Sequence, residues 1–279
     1  MKFYVLNIPG VETARVRLLE KAAKKNKVTF RLLDPYSYDF SGPSPLNKGD
    51  ILFRASRGKI LRTFENFLLC PGLVTFYSDP VPRRRDPFTL LKENIFSPKT
   101  IYCATSDRRM LMKYVKKLGG FPIVVKALGG THGLGVMKID TESSLFGVID
   151  FLLAQGRIVI LREYIPVKNS ARFIVLGSKV IASLEYQALN HDFRTNEAKV
   201  LQVVPKHYPK ELEDLSVKAT KAMGLEFGGV DILVKGAKAY VSEVNFPCNF
   251  VRAQNVSKVD IASQMVDYLL RKGREGGSH

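Results

Sequence analysis

The chain of 279 residues has no tryptophan, only three cysteines and far fewer acidic than basic side chains. The cysteines (Cys70, Cys103 and Cys248) are odd in number and lack the short spacings of metal sites. This pattern favours a reducing compartment over a disulfide framework. No apolar run is long enough to cross a bilayer, and the first residues lack the pattern of a signal peptide. We therefore expect a cytoplasmic protein without a membrane partner.

The excess of basic residues gives a formal net charge of +17, which indicates an acidic partner. A polyphosphate nucleotide, an acidic peptide, a carrier protein and a nucleic acid would each satisfy that charge. The basic residues are spread along the chain, apart from Arg83–Arg84–Arg85, and no nucleic-acid motif accompanies them. Nucleic acid is therefore the least favoured of these partners. If it did bind, its affinity would depend steeply on salt.

Strands and helices alternate from the N-terminus, which predicts a parallel β-sheet with helices on its faces. The last strand of this unit is expected near 73–77, and the proline-rich, charged stretch at 78–87 marks a boundary. A closing helix is expected near 258–272. We predict an α/β chain, with an α+β two-lobed part after the first unit, in three domains: 1–97, 98–165 and 166–279.

Three polar residues near the carboxyl end, Asp231, Glu243 and Asn245, lie in the apolar runs GGVDILV and YVSEVNF. Two such runs joined by the turn-like KGAK predict a hairpin. Because side chains alternate along a strand, Glu243 and Asn245 share a face that Asp231 can join. Three oxygen ligands suit Mg²⁺ held together with a nucleotide phosphate, with Mn²⁺ as a second candidate. A polar sheet face is the alternative, but carboxylates within apolar strands are costly to bury alone.

A glycine-rich loop follows Lys126, which ends the apolar run FPIVVK. Glycine lets backbone N–H groups approach an anion closely, and a lysine beside such a loop is a natural phosphate contact. The loop lacks the endings of a P-loop and of a dinucleotide fold, and an ordinary glycine-rich hairpin explains it equally well. Its candidate phosphate-binding residues are Gly129, Gly130, Thr131, His132, Gly133 and Gly135.

Two further sets of residues are weaker signals. Glu163, Tyr164 and Ile165 end a strand and can offer backbone groups to an adenine edge, although a plain strand end is the simpler interpretation. Arginines directed into a cleft suit the capture of carboxylate or phosphate, whereas a single arginine is usually a surface residue. The long strands after residue 166 carry such polar side chains at Arg172, Glu185, Arg194 and Asn196.

The order of these blocks resembles the ATP-grasp superfamily, and within it the RimK-like glutamate ligases. VVK and the glycine loop come first, followed by EYI, ARFIVLG, DFRTN, GGVDIL and SEVN, over roughly residues 98–272. The resemblance implies an ATP-grasp fold: an N-terminal βαβ pre-ATP-grasp domain, a central lid domain and a C-terminal domain with the metal site. It also implies an ATP-dependent ligase that joins a carboxylate to an amine through an acylphosphate. Related ligases are often oligomers, so a homo-oligomer is a mild expectation.

The resemblance further implies roles for individual residues. Lys126 would contact the α- and β-phosphates, and the glycine loop would close over them. Glu163 and Ile165 would hold adenine through backbone groups, and the three hairpin residues would ligate Mg²⁺. The contacts to the γ-phosphate, the acylphosphate or the substrate carboxylate would come from Arg172, Arg194 and Asn196.

The sequence departs from the family pattern at several positions. Ser170 replaces the acidic residue that usually binds ribose, and Val200–Leu201 replace a glycine pair. The lysine that usually precedes the middle domain is absent, with Arg83 or Arg84 as its candidate replacement. After SEVN stands FPCN instead of a serine-proline-glycine turn, in the region that faces the acceptor. The acceptor can therefore differ from those usual in the family.

Three functional hypotheses follow. The first is addition of an amino acid such as glutamate to a peptide, protein or small-molecule carboxylate. The second is modification of a precursor peptide by ester or amide crosslinks, with the basic surface docking an acidic leader or carrier protein. The third is a nucleotide-binding module without catalysis. In a ligase, the acylphosphate must be kept from water, and we expect His132 to cover ATP rather than act as a base.

Overall fold

The fold is known from a computed structural model. It describes residues 1–11, 13–79, 88–103, 105–127, 135–187 and 202–275. The described residues form three β-sheets, one parallel and two antiparallel, with helices packed on their faces.

The N-terminal sheet is parallel, as predicted, with strand order β2-β1-β3. The apolar residues of its second helix recur three and four positions apart and form one buried face, at Leu61, Phe64 and Leu68. The elements are β1 (Lys2–Leu6), α1 (Thr13–Lys25), β2 (Thr29–Leu33), β3 (Ile51–Arg54) and α2 (Lys59–Leu68).

The prediction of a strand near 73–77 is wrong. Val74 makes one parallel bridge with Ile51, and Tyr77 makes an antiparallel bridge with Leu225. The segment divides its pairing between the N-terminal sheet and the C-terminal part of the chain, so no continuous ladder forms.

The central sheet is antiparallel, with strand order β4-β7-β5-β6. Its two longer helices begin at side-chain caps, where Asp107 accepts from the Met110 N–H and Thr141 from the Ser144 N–H. Their apolar faces cover one side of the sheet. The elements are α3 (Thr89–Lys92), β4 (Thr100–Cys103), α4 (Arg108–Leu118), β5 (Ile123–Ala127), β6 (Val136–Ile139), α5 (Glu142–Ala154) and β7 (Val159–Glu163).

The C-terminal sheet is antiparallel, with strand order β10-β9-β8-β11-β12. One face packs on α6, and the other packs on the last helices and the N-terminal sheet. The elements are β8 (Asn169–Leu176), β9 (Lys179–Gln187), β10 (Gln202–Pro205), α6 (Lys210–Ala222), β11 (Phe227–Lys235), β12 (Lys238–Asn245), α7 (Phe250–Ser257) and α8 (Ile261–Glu275).

The closing helix predicted near 258–272 is confirmed as α8 (Ile261–Glu275), and a separate helix that was not predicted, α7, precedes it. Lys258 adopts a left-handed conformation with φ 61° and ends α7, and α8 begins three residues later. A left-handed residue breaks the α-helical hydrogen-bond pattern and so separates the two elements.

The N-terminal and C-terminal sheets share one hydrophobic core, with α7 and α8 packed into it. Phe53 contacts Phe76 with ring centres 5.5 Å apart, and Phe76 contacts Phe227 at 5.0 Å. This packing brings the loop after β3 next to the end of β12. Within the described ranges, none of the helices is both long and apolar enough to cross a membrane. The three-domain division is still a proposal, which the three separate sheets support.

Candidate active site

Three polar side chains form a row across neighbouring strands of the C-terminal sheet. Asp231 on β11 pairs with Arg172 on β8 on one side and with Glu243 on β12 on the other. Two residues along β12, the Nδ2 of Asn245 donates to Asp231 Oδ2 at 3.2 Å and to Glu243 Oε1 at 2.8 Å. The predicted convergence of Asp231, Glu243 and Asn245 is confirmed, and their role as metal ligands stays a prediction.

Arg172 is held by Asp231. Its Nε and Nη2 lie 2.6 and 2.5 Å from the two carboxylate oxygens, and its guanidinium carbon lies 5.1 Å from the ring centre of Tyr186. Burial alone would lower the pKa of Arg172, but the Asp231 carboxylate raises it well above its ordinary value. The expectation that Arg172 grips phosphate must therefore account for this pair, which occupies one edge of its guanidinium.

Lys126 brings the central sheet to the same site. It is half-buried on β5. Burial and the charge of Arg162 lower the pKa of Lys126 to about 8, against the attraction of Glu243 and Asp231. Burial alone would raise the pKa of Glu243, but Lys126, the Asn245 amide and nearby arginines hold it below its usual value. The site thus contains a charged carboxylate surrounded by cationic groups.

The donor atoms fit a hard divalent cation. Burial raises the pKa of Asp231, and the facing Glu243 carboxylate raises it further, although Arg172 lowers it. A cation between two such carboxylates would offset their repulsion, and oxygen donors are those that Mg²⁺ prefers. Among the described residues there is no group of three or more His, Cys, Asp or Glu that could hold a metal. The set therefore depends on the amide oxygen of Asn245 as its third donor.

Known protein families and individual proteins are similar to this chain in sequence. The RimK-like ATP-grasp domain matches residues 87–269. A probable alpha-L-glutamate ligase of Methanococcoides burtonii is 32% identical over 228 residues, which are 78% of this chain and 72% of that protein. This chain belongs to the RimK-like ATP-grasp family.

Solved structures share the fold of this RimK-like chain. The ATP-grasp ligase PsnB, complexed with a phosphomimetic variant of its minimal precursor, Mg and ADP, superposes with a TM-score of 0.73 at 17% identity, over 97% of this chain and 98% of that one. A RimK domain ATP-grasp protein from Sphaerobacter thermophilus superposes with a TM-score of 0.73 at 18% identity, over 97% of this chain and 100% of that one. By family and by its ligase-named relatives, the chain is an ATP-dependent ligase that forms carbon–nitrogen bonds.

The expected adenine-binding segment of this RimK-like ligase lies at the end of β7. The backbone N–H of Glu163 donates to the Lys99 carbonyl at 2.9 Å, so it is engaged within the protein. The Glu163 side chain accepts from the Lys99 N–H at 3.2 Å. Tyr164 lies beside Lys138, whose Nζ is 5.4 Å from the ring centre, and Ile165 is buried. Of the backbone groups predicted to hold adenine, the Glu163 N–H is thus already engaged within the protein.

The other predicted nucleotide-binding residues are only partly described. Ser170 is buried on β8, where it pairs with Tyr186. β5 and β6 pair as a hairpin around the glycine loop, and Gly135 has a φ of 79° that favours glycine. The candidates outside the described residues are Gly129, Gly130, Thr131, His132, Gly133, Arg194 and Asn196.

Two arginines that sequence reasoning missed also reach the site. Arg162 on β7 donates from Nη1 to the Ser242 carbonyl at 3.0 Å and from Nε to Thr100 at 3.0 Å. Arg57, in the loop after β3, donates from Nη2 to the Oδ1 of Asn245. Arg162 stands directly before EYIP, so its neighbours pointed to a site, whereas no local pattern marks Arg57.

Proposed function

We propose that this RimK-like ligase uses ATP to activate a substrate carboxylate and joins it to the amino group of an amino acid such as glutamate. The acceptor would be a peptide, a protein or a small molecule. The observation that supports the proposal is the convergence of Lys126 from the central sheet with Asp231, Glu243 and Asn245 from the C-terminal sheet. The name of the Methanococcoides burtonii relative is consistent with glutamate as the amine.

The reaction would proceed in two steps. A carboxylate oxygen of the substrate attacks the γ-phosphorus of ATP, the bond to the β–γ bridging oxygen breaks, and ADP leaves. The amine nitrogen then attacks the acyl carbon of the acylphosphate, loses a proton and displaces inorganic phosphate. The first step brings a carboxylate anion toward a highly charged triphosphate, so cationic groups must neutralise that charge and hold the reactants in line.

The residues of this chain would divide that work between the two sheets. Asp231, Glu243 and Asn245 would hold Mg²⁺ or Mn²⁺, which when bound neutralises charge on the triphosphate. Lys126 would contact the phosphates from the opposite side. Adenine and ribose would lie against Glu163, Tyr164, Ile165 and Ser170. We retain the proposal that Arg172, Arg194 and Asn196 contact the transferred phosphate or the substrate carboxylate, and that the loop 129–135 covers the nucleotide.

The experiment that tests this function is a screen of amino acids paired with peptide and small-molecule carboxylates. ADP release and product mass are measured together, with and without Mg²⁺. A product heavier by one amino-acid residue, formed with one ADP, supports the proposal. If the protein binds ATP but releases ADP with none of the pairs tested, the proposal is contradicted.

A precursor-peptide ligase is the second candidate. The net charge of +17 would favour an acidic leader peptide, and the PsnB neighbour was solved with its minimal precursor. The same measurement distinguishes the two functions, because an internal crosslink removes one water from the peptide whereas ligation adds a residue.

A further inference from the structure

Arg57 links the N-terminal domain to the proposed metal site. It lies in the exposed loop between β3 and α2, yet its Nη2 donates to Asn245 Oδ1, and its Nε lies 3.5 Å from the Pro247 carbonyl oxygen. Asn245 is the third member of the oxygen donor set. An arginine from a loop of the N-terminal domain therefore competes for the amide oxygen on which the cation site depends.

The backbone on either side of Arg57 is held by buried polar contacts. The Nε of Arg54 lies 2.7 Å from Glu65 Oε2 in a buried ion pair, and its Nη1 donates to the Ser56 carbonyl at 2.9 Å. The Ser56 hydroxyl donates to the Asn7 side chain. Gly58 has a φ of 138°, a backbone conformation that residues other than glycine rarely adopt. Arg57 is therefore presented from a firmly held loop.

The contacts of Asn245 define the orientation of its amide. With Oδ1 on Arg57, Nδ2 faces Asp231 at 3.2 Å and Glu243 at 2.8 Å. A planar amide cannot direct its oxygen and its nitrogen to the same side. For Oδ1 to ligate a cation between the two carboxylates, the amide must rotate by about half a turn about its terminal bond. Its NH₂ group would then face the Arg57 guanidinium. Both groups are hydrogen-bond donors, so that contact is unfavourable.

We propose that Arg57 is a positioning residue that holds the Asn245 amide turned away from the cation and so lowers the affinity of the nucleotide-free site for a divalent ion. The inference rests on the proposed metal role of Asp231, Glu243 and Asn245. It predicts an unusual sign, because loss of Arg57 should improve cation binding, whereas loss of a merely structural arginine should weaken it or leave it unchanged.

The test measures Mn²⁺ binding to the full chain without nucleotide, by electron paramagnetic resonance, with Mg²⁺ competition. Arg57→Met should bind Mn²⁺ about three- to tenfold more tightly than wild type, the effect of one hydrogen bond and one nearby charge. Arg57→Lys, which keeps the charge but not the fork, should recover part of the wild-type affinity. The matched control is Arg62→Met on α2, an exposed arginine whose loss changes the net charge equally.

A double-mutant cycle separates the amide from simple charge repulsion. In an Asn245→Ala background, Arg57→Met should improve binding less than about twofold, because the amide that it restrains is gone. The inference is overturned if Arg57→Met still tightens Mn²⁺ binding about three- to tenfold in the Asn245→Ala background. It is also overturned if Arg57→Met binds Mn²⁺ no more tightly than Arg62→Met does. If Arg57→Met fails to give a wild-type circular dichroism spectrum, Arg57→Gln takes its place.

The two proposals fail differently. If wild type and Arg57→Met bind Mn²⁺ equally and Glu243→Gln does not bind it, the metal site stands and only the role of Arg57 is overturned. If neither wild type nor any variant binds Mn²⁺, the metal site is overturned and the inference with it.

Discussion

Arg162 of β7 donates a 3.0 Å hydrogen bond to the carbonyl oxygen of Ser242 on β12, across the boundary between the central and C-terminal sheets. Asp231 pairs with Glu243, but the next residue, Ile232, pairs with Val241, so Ser242 is the extra residue of a β-bulge. Bulges free a backbone group from the ladder and are common beside active sites. Here the Ser242 carbonyl accepts a hydrogen bond from Arg162, whose positive charge also lowers the pKa of Lys126.

Nucleotide binding should depend on pH through Lys126. Burial and Arg162 lower its pKa to about 8, so the ammonium is present below that pH and is lost above it. If the ammonium contacts phosphate, bound nucleotide favours the charged form. ATP affinity should then be constant from pH 6.5 to about 7.5 and fall as pH rises through about 8. Titrations across this range, at fixed ionic strength, measure the profile.

Lys126→Ala provides the comparison for that profile. It should bind ATP much more weakly and show a flat dependence between pH 7 and 9, because the titrating group is gone. An unchanged affinity would remove Lys126 from the site. An unchanged fall above pH 8 would assign the titration to another group.

Arg162→Gln should move the same profile. The positive charge of Arg162 is one cause of the lowered pKa of Lys126, with burial the larger one. Without that charge, the pKa should rise from about 8 toward the ordinary lysine value, and ATP affinity should persist to higher pH. The exposed Arg109→Gln on α4 is the control for loss of one positive charge. A midpoint that stays in place or moves down would contradict the coupling.

The sequence revealed the carboxylate hairpin because its members lie close along the chain. Alternation in two neighbouring strands is enough to place Asp231, Glu243 and Asn245 on one face. Arg162 and Ser242 are separated by 80 residues, and Arg57 and Asn245 by 188, so only the packing of separate sheets brings them together. The bulge at Ser242 depends on register with β11, which a single strand does not show. The division of 73–77 between two partners was hidden for the same reason.

Glu243→Gln should abolish Mg²⁺-dependent ADP release while the protein stays folded. The substitution keeps the shape of the side chain but removes the charge that faces Lys126 and would ligate the cation. Loss of one well-placed charge-stabilising group typically lowers the rate about 10²- to 10³-fold. Glu211→Gln, at an exposed position of α6, should retain activity. Full turnover by Glu243→Gln would exclude it as a ligand.

The Arg172–Asp231 pair should matter for stability as well as for the site. Both side chains are largely buried, with 14% and 8% exposure, and they share two short hydrogen bonds. Arg172→Met would leave the Asp231 carboxylate buried beside Glu243 without its main partner. We expect a loss of about 3 kcal/mol in the free energy of unfolding, measured by urea denaturation. Lys210→Met, which breaks the exposed Lys210–Asp214 pair, should leave the unfolding midpoint unchanged.

Two glycine-to-alanine substitutions should have opposite effects on stability. At Gly229, two residues before Asp231 on β11, an added Cβ would lie 2.8 Å from the Cβ of Cys248, so the turn after β12 would have to shift. We expect Gly229→Ala to lower the free energy of unfolding by about 1–3 kcal/mol.

At Gly147, inside α5, an added Cβ meets nothing within 4 Å. Gly147→Ala should therefore stabilise the protein by about 0.5–1 kcal/mol, because alanine loses less backbone entropy on folding. Urea denaturation of both variants tests the pair. A stable Gly229→Ala with wild-type Mn²⁺ binding would show that the turn after β12 can move without disturbing the carboxylate hairpin.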